Sequence, residues 1–142
     1  MKHEISTTIT INAPIERVWD EFFNFNAYPE WNPFIHSISG NIVLNETFNA
    51  EIGTMKFRPT LKVLKPKEEF TWLGKLLLTG LFDGRHTFLF NENVDGSTTL
   101  IQKESFSGIL VGLMKKKLDS DIVEGFQAMN QALKARCENS TQ

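Results

Sequence analysis

His86 and Glu104 are the two side chains whose spacing most nearly describes a reactive pair. They fall in two runs, 84–91 and 97–106, whose residues alternate with a period of two, as a half-buried strand requires. Between the runs stands Asp95-Gly96, a strong hairpin signal. A turn centred on Asp95 sets His86 opposite Glu104, Phe88 opposite Gln102 and Phe90 opposite Leu100, all on one face. In an apolar pocket a glutamate beside a histidine is expected to raise the imidazole pKa and fix its tautomer. That arrangement suits general acid–base chemistry. The same pair would equally serve to satisfy each other, to anchor the sheet, or to stand near a cavity rim.

Other chemistries find less support. The histidines, His3, His36 and His86, are scattered, with no helical i,i+4 pair and no Cys/His cluster, so no metal site is expected. Cys137 has no nearby histidine to activate it and reads as a small apolar side chain at the end of a helix. Ser105-Phe106-Ser107-Gly108 lacks the leading glycine of a nucleophile elbow. Leu73-Gly74 and the stretch from Gly108 to Gly112 have neither the lysine nor the spacing of a phosphate-binding loop, so no cofactor is expected.

The elements that must position the pair follow from the rest of the pattern. Ile5, Ile9 and Ile11 share one face of a strand over 4–11, with Glu4, Ser6, Thr8 and Thr10 on the other. Asn12-Ala13-Pro14 opens a helix with Pro14 at its first position, and Val18/Phe22 and Trp19/Phe23 form i,i+4 pairs on its apolar side. Residues 24–33 read as a turn or a second short helix. Strands are expected over 35–39, 46–52, 55–65, 68–74, 84–91 and 97–106, joined as an antiparallel meander. From Leu118 through Ile122, Phe126, Met129, Leu133 and Cys137 the apolar residues recur every three or four positions, one stripe of a long helix. The whole is an α+β domain: a curved antiparallel sheet of about six or seven strands around a long C-terminal helix, with one or two short helices after the first strand. Residues 1–142 read as a single domain.

Composition narrows the function. The 142 residues are 41% hydrophobic and 23% charged, as in an ordinary globular domain. A net charge of −2 gives no basic excess for a nucleic-acid partner. No apolar stretch is long enough for stable membrane insertion, and the N-terminus lacks a signal-peptide pattern, so a cytoplasmic location is expected. Twelve Phe and three Trp against one Tyr point to an interior rich in aromatic carbon. Trp31, Phe34, Phe48, Phe57, Trp72, Phe88, Phe106, Phe126 and Met129 are the candidate lining, with His86, Gln102 and Glu104 as its few polar groups. Bulky phenylalanines would alternatively fill the space. Leu76, Leu77, Leu78, Leu81 and Phe82, between Gly74 and Gly84, are expected to form the mouth or lid of the pocket, or a dimer contact. The stretch Gly108 to Met114, before the long helix, has the same character, and the two segments would equally pack on each other and close one end of the barrel; Lys115-Lys116-Lys117 reads as a solvated helix face.

Four segments carry a likeness to a known family: Ala13-Pro14-Ile15-Glu16-Arg17-Val18-Trp19; Tyr28-Pro29-Glu30-Trp31-Asn32-Pro33-Phe34; Gly80 to Phe88 with Glu104 to Gly108; and Gly125 to Lys134. In this order they resemble the START-like, or helix-grip, superfamily (SRPBCC), of the polyketide cyclase/dehydrase and birch-allergen type. The resemblance implies a deep cavity between sheet and long helix, used across that superfamily for sterols, lipids, polyketides and other apolar ligands. It does not fix one reaction, because the fold hosts carriers, cyclases, hydrolases and chaperone-activator domains. The reading is a small hydrophobic ligand as partner of a monomer or weak homodimer. The alternatives are a cyclase/dehydratase-like enzyme using His86 and Glu104, or a protein-interaction module resembling chaperone-ATPase activators.

Overall fold

The computed structural model describes residues 2–75 and 83–139; the expected mouth residues Leu76, Leu77, Leu78, Leu81 and Phe82 lie outside them. Alternating Ile and Thr residues form β1 (Lys2–Ile11), and the chain then turns into α1 (Ile15–Phe23). Pro14 stands one position earlier than expected, as the N-cap of α1 in extended conformation. A 3-10 turn (Phe25–Ala27) and the short α2 (Tyr28–Trp31) follow. Seven further strands come next: β2 (Ile35–Ser39), β3 (Asn49–Ile52), β4 (Met55–Phe57), β5 (Thr60–Lys65), β6 (Glu69–Lys75), β7 (Asp83–Glu92) and β8 (Thr98–Ser107). The chain ends in α3 (Val111–Lys117), a π turn (Leu118–Ile122) and α4 (Val123–Asn139).

The α+β architecture and long C-terminal helix are as the sequence predicts, with two differences of detail. The strand expected over 55–65 is two strands, because Arg58-Pro59 interrupts it and proline has no N–H for the ladder. The strands divide accordingly into a curved five-stranded antiparallel sheet, β1-β8-β7-β6-β5, and a three-stranded one, β2-β3-β4. A bridge from Thr47 to Thr60, flanked by backbone hydrogen bonds from Phe48 to Pro59 and from Leu61 to Glu46, links the segment before β3 to β5. The segment 111–114, expected to precede the helix, is already helical, and the π turn inserts a wide coil between α3 and α4.

The β7–β8 hairpin keeps the register that the Asp95 turn dictates: His86 faces Glu104, Phe88 faces Gln102 and Phe90 faces Leu100. The turn is locked locally. Asp95 Oδ1 accepts hydrogen bonds from the Ser97 amide (2.9 Å) and hydroxyl (2.6 Å), and Gly96 takes the left-handed conformation at φ +90°.

The aromatic residues are unevenly spent. Phe22 of α1 packs against Trp19, Tyr28, Phe70, Phe88 and Phe90, with ring centroids 4.8–6.5 Å apart, and this end of the molecule is solid. The stripe Leu118, Phe126, Met129, Leu133 and Cys137 is buried along the C-terminal helices. At the other end, beneath α3 and the π turn, the interior is hollow.

Candidate ligand-binding cavity

A cavity of about 310 Å³ lies between the concave face of the large sheet and the α3–π turn segment. The sheet contributes Trp72, Gly74, His86, Glu104 and Phe106; the β3–β4 hairpin contributes Ile52, Met55 and Phe57. Phe34 closes one side, and Met114, Lys117, Leu118 and Ile122 form the helical wall. Two glycines make the hollow. Gly74 and Gly84 are direct cross-strand partners. A Cβ on Gly74 would press on the Phe57 ring at 3.2 Å, and one on Gly84 would run into the Glu104 carboxyl oxygen. The helical wall bulges because a π turn carries one residue more per turn than an α-helix, a feature frequent at functional sites. Leu118 and Ile122, at either end of that turn, both face the cavity.

The polar groups are few and are held from behind. His86 is 1% exposed, stacked on Phe88 at 4.6 Å, tilted against Phe126 at 4.8 Å and edged by Trp72 at 4.9 Å. Its Nε2 lies 3.0 Å from Gln102 Oε1. Gln102 Nε2 donates to Asn130 Oδ1 (2.7 Å), Asn130 Nδ2 donates to Thr7 Oγ1 (2.9 Å), and Thr7 Oγ1 donates to the Gln102 carbonyl (2.9 Å). This buried chain joins β1, β8 and α4. It leaves only an acceptor oxygen of Gln102 toward His86, so Nε2 carries the imidazole proton and Nδ1 presents its lone pair. Nδ1 faces Glu104 Oε1 at 3.5 Å and has no hydrogen-bond partner among the described residues.

Burial sets both protonation states. Desolvation drives the His86 pKa down to about 3, against a smaller opposing effect of the Gln102 hydrogen bond. Desolvation likewise pushes Glu104 up to about 8. The shift on His86 is opposite to the expected one: a glutamate that stays protonated offers no charge to stabilise an imidazolium, and three aromatic rings exclude water from it. At neutral pH the pair is an imidazole beside a carboxylic acid. Cys137 is buried at the far end of α4, its thiol pushed up to about 12, chiefly by burial.

Of the residues singled out from the sequence, Phe34, Phe57, Trp72, His86, Glu104 and Phe106 line the cavity together. Gln102, Phe88 and Phe126 stand immediately behind His86 and hold it. Phe48 packs into the core against Phe70 and Trp72, Met129 lies in the core under α4, and Trp31 is half-buried against Tyr28. Sequence reasoning missed Ile52, Met55, Gly74, Met114 and Lys117 on the wall, and Asn130 and Thr7 in the polar chain. Thr7 shares the parity of Ile5 and Ile9, a signal that could have found it. Asn130 adjoins the apolar stripe but is polar, so periodicity alone passes over it. Among the described residues no three His, Cys, Asp or Glu side chains are grouped as metal ligands would be.

A curved antiparallel sheet gripping a long C-terminal helix, with an apolar cavity between them, defines a START-like, helix-grip protein. The chain belongs to the polyketide cyclase/dehydrase and lipid transport family, whose pattern matches residues 2–138. No curated protein matches the sequence. Among solved structures, a hypothetical protein of Helicobacter pylori superposes with a TM-score of 0.82 at 14% identity, covering 96% of this chain and 88% of that one. The Zhui aromatase/cyclase of Streptomyces sp. R1128 gives 0.76 at 12%, covering 100% and 97%. A START superfamily protein of Mycobacterium smegmatis gives 0.73 at 20%, covering 98% and 99%. At such identities the likeness is one of fold. Among the described residues no helix is long and apolar enough to cross a membrane.

Proposed function

We propose that the protein binds a small, largely apolar molecule in the cavity under α3 and the π turn, with Glu104 as its polar anchor. The observation that carries this reading is the cavity itself: about 310 Å³ walled by Phe34, Phe57, Trp72, Phe106, Met114, Leu118 and Ile122, with His86 and Glu104 on its sheet side and Lys117 on its helical wall. Such a volume is at the small end of ligand sites, roughly 300–1,000 Å³. Affinity would come from apolar burial, about 25 cal/mol per Å² before association costs, and orientation from the carboxyl. Gln102 holds His86 from behind, and His86 lines the cavity beside that carboxyl. The cyclase-like alternative needs His86 to cycle through its protonated form, which burial opposes, so the geometry favours binding.

Native mass spectrometry of the purified protein, followed by extraction and identification of what co-purifies, tests the proposal. The expected result is a defined adduct of a few hundred daltons that is lost on denaturation. A clean mass that stays unchanged after incubation with a mixed library of lipids and aromatics contradicts it and favours the protein-interaction alternative.

A further inference from the structure

Resting on the binding reading above, we infer that the site selects a ligand whose inner end is uncharged and hydrogen-bonding, and rejects the same molecule bearing a carboxylate or an ammonium there. Three observations converge. First, Glu104 lines the cavity with a side chain 11% exposed, and Gly84 leaves its second oxygen room that any other residue would take. Second, the lone pair of His86 Nδ1 lies 3.5 Å from Glu104 Oε1 and has no other partner among the described residues, so a carboxylic acid can turn its O–H inward to the imidazole or outward to a ligand. Turned inward it offers the ligand an acceptor oxygen; turned outward it offers a donor. Third, among the described residues no cation is set to compensate a buried charge. Lys117, the cationic residue among the described residues of the cavity wall, is 64% exposed and lies 3.8 Å from Asp121. Arg85 and Lys103 line a shallow depression with Glu4 and Glu69, on the opposite face of the sheet.

The physical consequence is a filter. A carboxylate brought against Glu104 can accept at most the one O–H of the acid, which does not replace the water it sheds in an apolar box, and it is repelled outright if Glu104 is ionised. An ammonium would need Glu104 ionised, a state the desolvated wall disfavours. An amide, hydroxyl or phenol fits either orientation of the O–H. The polar chain behind His86 sharpens the filter by fixing the tautomer, since Nε2 is committed to Gln102.

Four probes with one naphthalene body separate the possibilities: 2-naphthamide, 2-naphthoate, 2-naphthylmethylammonium and 2-methylnaphthalene, titrated by calorimetry at pH 6.5. The amide should bind tightest. If only the acid form of naphthoate is accepted, its apparent affinity should fall about a hundredfold, the fraction left protonated at that pH. Glu104→Gln, which keeps an uncharged head of the same shape, should preserve the order, and Glu104→Leu should abolish the preference of amide over methyl. Equal or tighter binding of either ion overturns the inference. Binding of all four without discrimination overturns it too but leaves the apolar cavity reading intact. Failure of every probe, 2-methylnaphthalene included, contradicts the cavity reading as well.

Discussion

The imidazole of His86 is held by aromatic rings on three sides and by one amide oxygen, and its protonation is a property of that packing. The pH dependence of stability follows from it. Glu104, with a folded pKa near 8 against 4.5, keeps in the fold a proton that the unfolded chain has lost. Its stabilising effect is complete below about pH 4.5 and disappears as the pH rises through 8. His86, near 3 against 6.5, works the other way: the unfolded chain gains a proton that the fold refuses, so stability present above 6.5 is lost as the pH falls toward 3. Between 4.5 and 6.5 the two slopes cancel, and outside that window stability declines by up to about 1.4 kcal/mol per pH unit. Urea unfolding from pH 4 to 9 should show this plateau, and Glu104→Gln should erase the alkaline decline and, with one of the cancelling slopes gone, turn the plateau into a rise of stability with pH up to about 6.5. An alkaline decline unchanged in that variant would assign it to other groups. The pairing of His86 with Glu104 was legible in the sequence, because strand parity and one Asp-Gly turn determine it. The protonation states were not, because they depend on Phe126 and Trp72 reaching the imidazole from other elements.

At the scale of elements, the cavity depends on where helix and loop are allowed to touch. Gly125 sits in the first turn of α4, and a methyl group there would run into the Phe34 ring. Alanine is ordinarily the better helix residue by about 1 kcal/mol. Here the clash should reverse the sign, and Gly125→Ala should destabilise by about 1–2 kcal/mol in thermal melts. Adding Phe34→Leu should recover part of that loss; a simple gain in stability from Gly125→Ala would contradict the packing described. The strands and the long helix were readable because their periods are local, two and 3.6 residues. Where Pro59 divides a strand, the interruption needed the three-stranded sheet to make sense of it. The π turn left no sequence signal, since the 4-4-3-4-4 stripe reads the same with or without it. The lining was half legible: Phe34, Phe57 and Trp72 stand out by size, whereas Met114 and Ile52 join them only through the packing of two distant segments.

Across the whole molecule, the two ends of the C-terminal helix are held differently. At its C-terminus, Arg17 Nε donates to the Cys137 carbonyl (2.9 Å), Arg136 Nε reaches Glu21 (2.7 Å) and Glu138 accepts from the Asn12 amide (2.6 Å). The cationic Arg17 caps carbonyls that would otherwise be unpaired and suits the negative end of the helix dipole. At the other end, α3 and the π turn cover a hollow and are tied by Val111, Leu118 and the His3–Asp119 contact (2.6 Å). The interior is thus a solid aromatic half under α1 and a hollow half under α3. The most direct test of the account is titration of the neutral fluorophore N-phenyl-1-naphthylamine into the native protein and into Ile122→Trp, which narrows the cavity from its helical wall. The native protein should show saturable one-to-one binding, weakened about tenfold or more in a variant that melts at nearly the same temperature. Absence of saturable binding, or equal binding by a folded Ile122→Trp, would contradict a ligand site beneath the π turn.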